Sequence, residues 1–465
     1  MPLREKVLRG GIYLSLREGI GLAAGIVGIL LLTRIIGPTQ YGIYRVALEV
    51  VAYFAGVARW GLDAYLVRRA DAPSRDDYNQ VFSVLLVGSL CLMVVGFGTL
   101  VVLRSWLGDA RYFPPLYVLL ASLPLTVLSI PSLAMLERDL DYRKVAGLET
   151  GGKLIYHGTA VLLAFLGWGF WGAVVGYILW QSWTTLGSWL LARYAPRWSW
   201  SWRSTKGMLK YGVGYSSSIW IYSLRSLVNP LIVGRYLGPE FVGYVSLTAR
   251  LVEVLGFVKA ATARLSMVVL GKVQDDMARL RRGVEEALGL QALAMGAPLS
   301  LFALAAPTIL PTLIGAKWAP ALQVYSFIAL GYMLNALFGV HASVLYVRKR
   351  NRAVIDAYGV YVILFAAAAF LLIPRLGLWG YGAAELIALP AYGLLHRSVR
   401  KLFDFSYRRA APWIVAFPPL LFYPNVGWPM GLALLLPALA MLLNSSAREQ
   451  LREYGSYIRP GLVEE

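Results

Sequence analysis

The chain has 465 residues, of which 58% are hydrophobic and only 15% are charged. Ordinary soluble domains carry about 25% charged residues, and the mean hydropathy of this chain is +0.60. These values exclude a soluble protein, because one core could not bury so many apolar side chains. The single cysteine, Cys91, excludes an internal disulfide and thiolate metal clusters. We predict no metal site and no cofactor.

Apolar stretches of about 20 residues follow one another with short polar breaks, which predicts an all-α polytopic membrane protein of about fourteen transmembrane helices. The first stretch is too long for the core of a signal peptide, so we expect a retained helix. Pro124 and Pro131 should break the fourth helix, and Pro230 the seventh. The predicted spans are residues 10–33, 40–67, 79–103, 114–136, 145–166, 169–192, 211–234, 241–268, 287–313, 319–346, 357–374, 378–396, 410–424 and 428–444.

The basic residues of the predicted loops lie mostly on one side of the membrane. About 30 Lys and Arg fall on the amino-terminal side and about 6 on the other, which predicts that both termini are cytoplasmic. We therefore expect a multi-pass protein of the cytoplasmic (inner) membrane. Since this asymmetry accounts for most of the formal net charge of +19, the charge is weak evidence for nucleic-acid binding. We predict no nucleic-acid partner.

The chain repeats itself. LLTRIIGPTQYGIY at residues 31–44 is echoed by LIVGRYLGPEFVGY at residues 231–244, an offset of 201 residues. A looser echo pairs GFWGA from residue 169 with GLWGY from residue 377. Two homologous halves in a hydrophobic chain are typical of a transporter that rocks one half against the other. The aligned residues that we expect to end one helix and start the next are Gly37, Pro38, Gly238 and Pro239.

Charged residues inside the predicted spans should face a water-filled cavity or one another, because lipid solvates them poorly. An α-helix turns by 100° per residue. On the second helix this places four charged residues within about 40° of one line along the helix surface: Arg45, Glu49, Arg59 and Asp63. The repeat places Arg250 opposite Glu49 in sequence. The charged residues inside spans are Arg17, Arg45, Arg59, Lys153, Arg225, Arg250, Lys259, Arg264, Glu18, Glu49, Asp63, Glu149, Glu253 and Glu385.

A cavity lined by arginines favours an anion, because guanidinium groups bind phosphate with two parallel hydrogen bonds. A small soluble anion and the diphosphate headgroup of a lipid-linked sugar would both fit. The predicted diphosphate-binding residues are Arg17, Arg45, Arg225 and Arg250. The acidic residues that could couple transport to an ion gradient, or serve as fixed counter-ions, are Glu18, Glu49, Glu253 and Asp63. We expect Glu253 to be the counter-ion of Arg225.

Residues 11–51 resemble the first two helices of oligosaccharide flippases of the polysaccharide transport family. This family belongs to the multidrug, oligosaccharidyl-lipid and polysaccharide exporter superfamily. The second copy of the turn departs from the family pattern at Val242, where the first has Tyr41. The residues that carry the resemblance are Arg34, Gly37, Pro38, Tyr41 and Gly42, and then Arg235, Gly238, Pro239 and Gly243.

The resemblance implies two pseudo-symmetric six-helix lobes around a central cavity, residues 1–193 and 211–401. A cytoplasmic linker, 194–210, joins them, and an additional helix pair and cytoplasmic tail follow at 402–465. It implies a flippase, not an enzyme, that moves an undecaprenyl- or dolichyl-diphosphate oligosaccharide from the cytoplasmic to the outer leaflet by alternating access, for a cell-surface polysaccharide such as O-antigen. The implied partners are this substrate, membrane lipid and polysaccharide polymerase machinery.

Three alternatives stay open. A lipid-linked peptidoglycan-precursor flippase would also have fourteen helices and a basic cavity, although the Gly-Pro-x-x-Tyr-Gly turn favours the polysaccharide branch. A multidrug or cation exporter of the same superfamily would have an acidic or aromatic cavity. A membrane polysaccharide polymerase or ligase would need a long outer loop, and the longest predicted here has about ten residues.

Overall fold

The computed structural model describes the backbone of residues 3–68, 71–257, 259, 270 and 276–458. It describes the side chains from residue 21 onward, apart from those of residues 22, 23, 68, 215, 442, 446 and 455–458. All regular structure in these ranges is helical. The chain forms two compact units, Met1–Gly243 and Tyr244–Glu465. The predicted division into lobes at residues 194–210 stays a prediction.

The first unit is built from helices that follow one another through short turns. Its α-helices are α1 (Leu3–Ala58), α2 (Leu62–Arg68), α3 (Arg75–Leu107), α4 (Phe113–Ala121), α5 (Leu123–Val127), α6 (Ile130–Arg138), α7 (Tyr142–Leu163), α8 (Trp171–Leu191), α9 (Trp202–Ser223), α10 (Gly234–Tyr236) and α11 (Pro239–Leu255), which continues into the second unit. Short 3-10 segments lie at Ala110–Tyr112 and Leu224–Leu227, and π-helical turns at Ala164–Trp168 and Asn229–Val233.

The second unit is also built from helices that follow one another through short connections. Its α-helices are α12 (Met277–Ile314), α13 (Leu322–Val347), α14 (Asn351–Leu376), α15 (Leu378–Ala388), α16 (Tyr392–Arg400), α17 (Ala411–Leu421), α18 (Tyr423–Val426), α19 (Leu436–Leu443) and α20 (Ser445–Ile458). Short 3-10 segments lie at Ala316–Ala321, Leu389–Ala391 and Met430–Leu435. Large aromatic side chains fill its interior: Trp318, Tyr325, Tyr361, Tyr392 and Phe365 are buried.

Several helices are long and apolar enough to cross a bilayer. Within the described residues there are five, or six if Ala110–Ala121 and Leu123–Arg138, bent by 52° at their junction, form one span. The predicted all-α polytopic membrane fold is confirmed. The count of about fourteen spans stays a prediction, because proline and glycine break several predicted spans into shorter helices. The five are Ala24–Val67, Arg75–Leu107, Met277–Ile314, Ala316–Val347 and Asn351–Leu376.

The exposed surface of α3 is apolar, as expected for a helix in contact with lipid. Val94, Val95, Val101 and Val102 expose 66%, 56%, 74% and 68% of their surface. A run of valines at this exposure would be an aggregation site in water, whereas in a bilayer it faces acyl chains. The same helix begins in a polar setting, where the Ser74 hydroxyl accepts a hydrogen bond from the Asp77 backbone amide in a capping box.

Both copies of the repeated turn reverse the chain as predicted. Gly37 has φ 76° and ψ 175°, and this break separates α1 into two helical halves at the predicted boundary. Gly238 has φ 89° and lies directly before Pro239, the first residue of α11. A side chain disfavours positive φ, so glycine is the residue that permits this reversal. In this structure Gly37, Pro38, Gly238 and Pro239 all lie at junctions between helical segments.

The looser echo also has a structural counterpart. Gly169, between α7 and α8, has φ 55° and ψ −132°. Gly377, between α14 and α15, has φ 59° and ψ −134°. Two turns 208 residues apart therefore adopt the same backbone conformation, as expected for two copies of one ancestral helix pair.

The prolines break the helices where the sequence predicts. Pro124 lies in the first turn of α5 and Pro131 in the first turn of α6, so the predicted fourth span is divided into α4, α5 and α6. Pro230 lies in the π-helical turn Asn229–Val233 that follows α9. Proline lacks an amide hydrogen and its ring clashes with the carbonyl four residues earlier, so the preceding helix cannot continue unchanged through these positions.

The Trp- and Arg-rich segment before α9 is held against the start of α3. The Tyr194 hydroxyl donates to Asn79 Oδ1 at 3.0 Å, and the Ser199 hydroxyl donates to Asp76 Oδ1 at 2.7 Å. The Ser199 amide also donates to Ser83 Oγ at 3.0 Å. These bonds keep the segment on the polar end of α3 instead of leaving it as a free linker.

Replacing Gly37 tests the strain at the first turn. We expect Gly37→Ala to lower the free energy of unfolding by about 1–3 kcal/mol, because alanine disfavours the φ and ψ of this residue. The matched control is Gly98→Ala in α3, where an added Cβ would have no neighbour within 4 Å. The free energy of unfolding of both variants would be measured by denaturation in mixed detergent micelles. Equal stability of the two variants would contradict the expectation.

Candidate functional site

The centre of the candidate site is an ion pair on the second half of α1. Arg45 donates to Glu49 Oε1 through Nη2 at 2.8 Å and through Nε at 3.2 Å. The side chains are 20% and 11% exposed, so the pair is largely shielded. A spacing of four residues places both groups on one helix face, as the sequence predicts.

A third side chain completes this group. Asn229, in the π-helical turn after α9, donates from Nδ2 to Glu49 Oε2 at 3.2 Å. Both oxygens of Glu49 therefore accept hydrogen bonds, one from a guanidinium and one from an amide. We call Arg45, Glu49 and Asn229 the Arg45 cluster. Its charged groups fit the expectation that charge in an apolar helix is satisfied by partners from the protein.

Arg225 lies four residues before Asn229, in the 3-10 segment Leu224–Leu227. Its Nη1 donates to the hydroxyl of Tyr222, and its guanidinium lies 5.1 Å from the centre of the Tyr222 ring. The contact with the ring face stabilises the cation at the site. Arg225 and Asn229 thus belong to the same short segment, in which a 3-10 segment is followed by a π-helical turn.

The predicted charged stripe is wrong beyond the end of α1. The helix ends at Ala58, and Trp60 and Gly61 have φ 50° and 64°. These two residues change the chain direction, so a count of 100° per residue no longer applies to Asp63. Asp63 lies in the first turn of α2, where its Oδ1 accepts from the Ala64 amide at 2.8 Å. Its observed contact is therefore local to that helix start.

In the second unit, Arg250 and Glu253 form an ion pair along α11. Arg250 Nη1 lies 3.2 Å from Glu253 Oε2, and the side chains are 42% and 54% exposed. This pair is more open than the pair of Arg45 with Glu49. The ion pair of Glu253 thus forms with a neighbour three residues away, whereas its predicted pairing with Arg225 stays a prediction.

The structure does not describe the side chains of three charged residues that the sequence places inside membrane spans. Arg17 and Glu18 are in the first half of α1, but only its backbone is described there. Arg264 lies outside the described residues altogether. The proposed roles of Arg17 and Glu18 therefore stay predictions. Among the described residues no group of His, Cys, Asp and Glu could hold a metal ion.

Sequence reasoning left two polar groups out of the predicted site, although Glu385 of the second is among the charged residues inside the predicted spans. Asn229 is one, because an amide in a helix gives no signal that separates it from other polar residues. The other is in the second unit, where the Tyr361 hydroxyl donates to the buried Glu385 at 2.7 Å. Nearby, Asn335 donates to the Tyr392 hydroxyl at 2.8 Å and accepts from Lys259. Glu385 had a signal, since it is an acidic residue inside an apolar span.

Comparison with known proteins gives a consistent result. A family described as "Polysaccharide biosynthesis protein" matches residues 31–323. The lipopolysaccharide biosynthesis protein WzxC of Escherichia coli (strain K12) is 24% identical over 366 residues, which are 75% of this chain and 72% of that protein. The succinoglycan biosynthesis transport protein ExoT of Rhizobium meliloti (strain 1021) is 27% identical over 312 residues, 65% of this chain and 62% of that protein.

Among solved structures, the lipid II flippase MurJ in an inward closed conformation matches with a TM-score of 0.71. The match covers 98% of this chain and 100% of that chain, at 14% sequence identity. At this identity the likeness shows the fold alone, which is that of a polytopic membrane transporter. The resemblance found from the sequence motifs is confirmed by these matches.

The two ion pairs provide an internal comparison. We expect Glu49→Gln to lower the free energy of unfolding by about 1–3 kcal/mol, because Arg45 would keep its shielded position without a counter-ion. Glu253→Gln should lower it by about 0–1 kcal/mol, since the pair with Arg250 is open. Denaturant unfolding of the two variants measures both values. A larger loss of unfolding free energy for Glu253→Gln than for Glu49→Gln would show that the exposure of an ion pair does not predict its contribution to stability here.

Proposed function

Because this chain belongs to the polysaccharide biosynthesis protein family and has the fold of a membrane transporter, we propose that it flips a polyprenyl-diphosphate-linked oligosaccharide from the cytoplasmic to the outer leaflet. The chain is a multi-pass membrane transporter and not an enzyme. The observation that carries the proposal is the Arg45 cluster, a shielded group of charged and amide side chains on apolar helices. Alternating access would expose this cluster to one leaflet and then to the other.

The chemistry of Arg45, together with that of Arg225 on the segment that supplies Asn229, suits a diphosphate. Arg45 and Arg225 carry guanidinium groups whose planar fork matches phosphate oxygens. In the structure Arg45 is held by Glu49, and Arg225 by Tyr222. A diphosphate would compete with these neutral and anionic partners for the same donors. The polyprenyl chain would stay in the bilayer while the headgroup and its sugar cross.

Glu49 fits the role of a fixed counter-ion. Its two oxygens already accept from Arg45 and Asn229, so it keeps the arginine in place when no anion is bound. Coupling to a proton or sodium gradient through Glu18, Glu49, Asp63 or Glu253 stays a second possibility for the same residues. The positive-inside asymmetry of the loops supports cytoplasmic termini and a location in the cytoplasmic membrane. Polymerase machinery stays a proposed partner.

A lipid-linked peptidoglycan-precursor flippase is the second candidate, because a lipid II flippase has the same fold over almost the whole chain. Both functions need a diphosphate-binding cavity, so the cluster does not separate them. The family match and the two relatives in polysaccharide biosynthesis support the first. A multidrug or cation exporter is less supported, since its cavity would need an excess of acidic groups.

Depletion of the protein identifies the substrate. We expect a lipid-linked oligosaccharide of a surface polysaccharide to accumulate in the cytoplasmic leaflet, because its synthesis continues while its export stops. Extraction of the lipids and mass spectrometry would identify it. Accumulation of a peptidoglycan precursor would favour the second candidate, and accumulation of neither would contradict flipping of either substrate.

Arg225 tests the anion site by transport. We expect Arg225→Ala to lower transport by about tenfold or more, because a guanidinium contact to phosphate is lost. Arg225→Lys should restore only part, since lysine keeps the charge without the fork. Arg111→Ala is the control, because Arg111 pairs with Asp109 in an exposed turn. The measurement is the rate of substrate transfer at equal protein levels in the membrane. Normal transport by Arg225→Ala would place the diphosphate elsewhere.

A further inference from the structure

Two backbone contacts join the second half of α1 to the segment 202–243 at its two ends. We call the first, formed by Pro38, Gly42, Pro239 and Gly243, the turn-end contact. A Cβ on Gly42 would overlap the carbonyl oxygen of Pro239, and a Cβ on Gly243 would overlap that of Pro38, both inside the 3.0 Å that real Cβ atoms respect. The contact is reciprocal because Gly42 and Gly243, like Pro38 and Pro239, are equivalent in the repeat.

The second, the Trp60-end contact, lies about five helical turns away along α1. A Cβ on Gly212 would overlap the carbonyl oxygen of Trp60. A Cβ on Gly61 would lie 2.8 Å from the carbonyl oxygen of Gly212 and would also meet the Ser216 hydroxyl. Here too backbone meets backbone, and the Ser216 hydroxyl and the packed rings of Trp60 and Trp220 lie beside the contact.

Between these ends the two segments run antiparallel in contact. Trp220 Nε1 donates to the carbonyl oxygen of Gly56 at 3.1 Å, and Asn229 donates to Glu49 at 3.2 Å. Residue numbers rise along one segment as they fall along the other. The Arg45 cluster therefore lies between the turn-end contact and the Trp60-end contact, and both contacts are made in this structure.

We propose that the turn-end and Trp60-end contacts are the two gates of this transporter, and that one parts while the other holds. This inference rests on the proposed function, since only alternating access requires the cluster to open toward each side in turn. Glycine suits a gate because it lets two backbones meet directly, so that at these positions no side chain of the residue itself has to repack when the segments separate and rejoin. The break at Pro230 allows the segment 202–243 to bend between the two ends.

The test adds one methyl group to one gate at a time. Gly42→Ala should prevent closure of the turn-end contact, and Gly212→Ala closure of the Trp60-end contact, while both positions stay helical. Two buried positions serve as cysteine reporters after Cys91→Ser: Val46→Cys, one turn from Gly42, and Ser216→Cys, one turn from Gly212. A charged maleimide would label the protein in nanodiscs, where both membrane faces are accessible.

We expect Gly42→Ala to raise the labelling rate of the Val46 reporter about tenfold or more, because fewer molecules have the turn-end contact closed. The labelling rate of the Ser216 reporter should not rise. Gly212→Ala should give the reverse. Gly243→Ala tests the turn-end contact from the other segment and should behave like Gly42→Ala. No substrate is present, so the result is independent of whether a lipid-linked saccharide accumulates on depletion.

Two controls make the same substitution where there is room. An added Cβ has no neighbour within 4 Å at Gly56 on α1 and at Gly214 on α9, so neither Gly56→Ala nor Gly214→Ala should change labelling. Labelling of both reporters in every variant, or of neither, would overturn the proposal. So would loss of monodisperse protein in both Gly42→Ala and Gly243→Ala, because a contact that the fold needs cannot part during transport.

Discussion

The rest of the site depends on the free energy of placing a charge in an apolar helix. A charged side chain in the membrane costs several kcal/mol unless it finds a partner. Arg45 meets this requirement through Glu49, and Glu49 through a second hydrogen bond from Asn229. Asn229 in turn lies in a π-helical turn next to Pro230, so the helix break and the ion pair belong to one arrangement. π-Helical turns of this kind are frequent at functional sites.

The second requirement is a short distance between the two segments. Asn229 can reach Glu49 only because the backbones meet closely at Gly42 and Gly212, where a Cβ would not fit. The two glycines therefore influence the Arg45 cluster although neither belongs to it. At both ends a glycine lets the backbone of one segment contact that of the other directly.

The repeat conserves backbone geometry more than side-chain chemistry. Gly169 and Gly377 differ by only a few degrees in φ and ψ. In contrast, Glu49 and its repeat equivalent Arg250 carry opposite charges and differ in exposure. The second unit also buries Glu385 against Tyr361, a polar contact outside the predicted site. The two copies of the repeat thus carry different charged groups at equivalent positions.

The sequence by itself determined the membrane class, the helical breaks at Pro124, Pro131 and Pro230, and the turns at Gly37 and Gly238. It also placed Arg45 and Glu49 on one face of the same helix. Each of these depends on the backbone preference of single residues or on the spacing of a helix, which are local properties.

Only the tertiary structure decided that Asn229 binds Glu49 from 180 residues away, that Gly42 meets Pro239, and that the stripe ends before Asp63. The first two depend on how two helices pack, and no spacing within either helix encodes the distance between them. The third depends on the positive φ of Trp60. Tryptophan rarely adopts this conformation, and the residues around Trp60 give no reason to expect it.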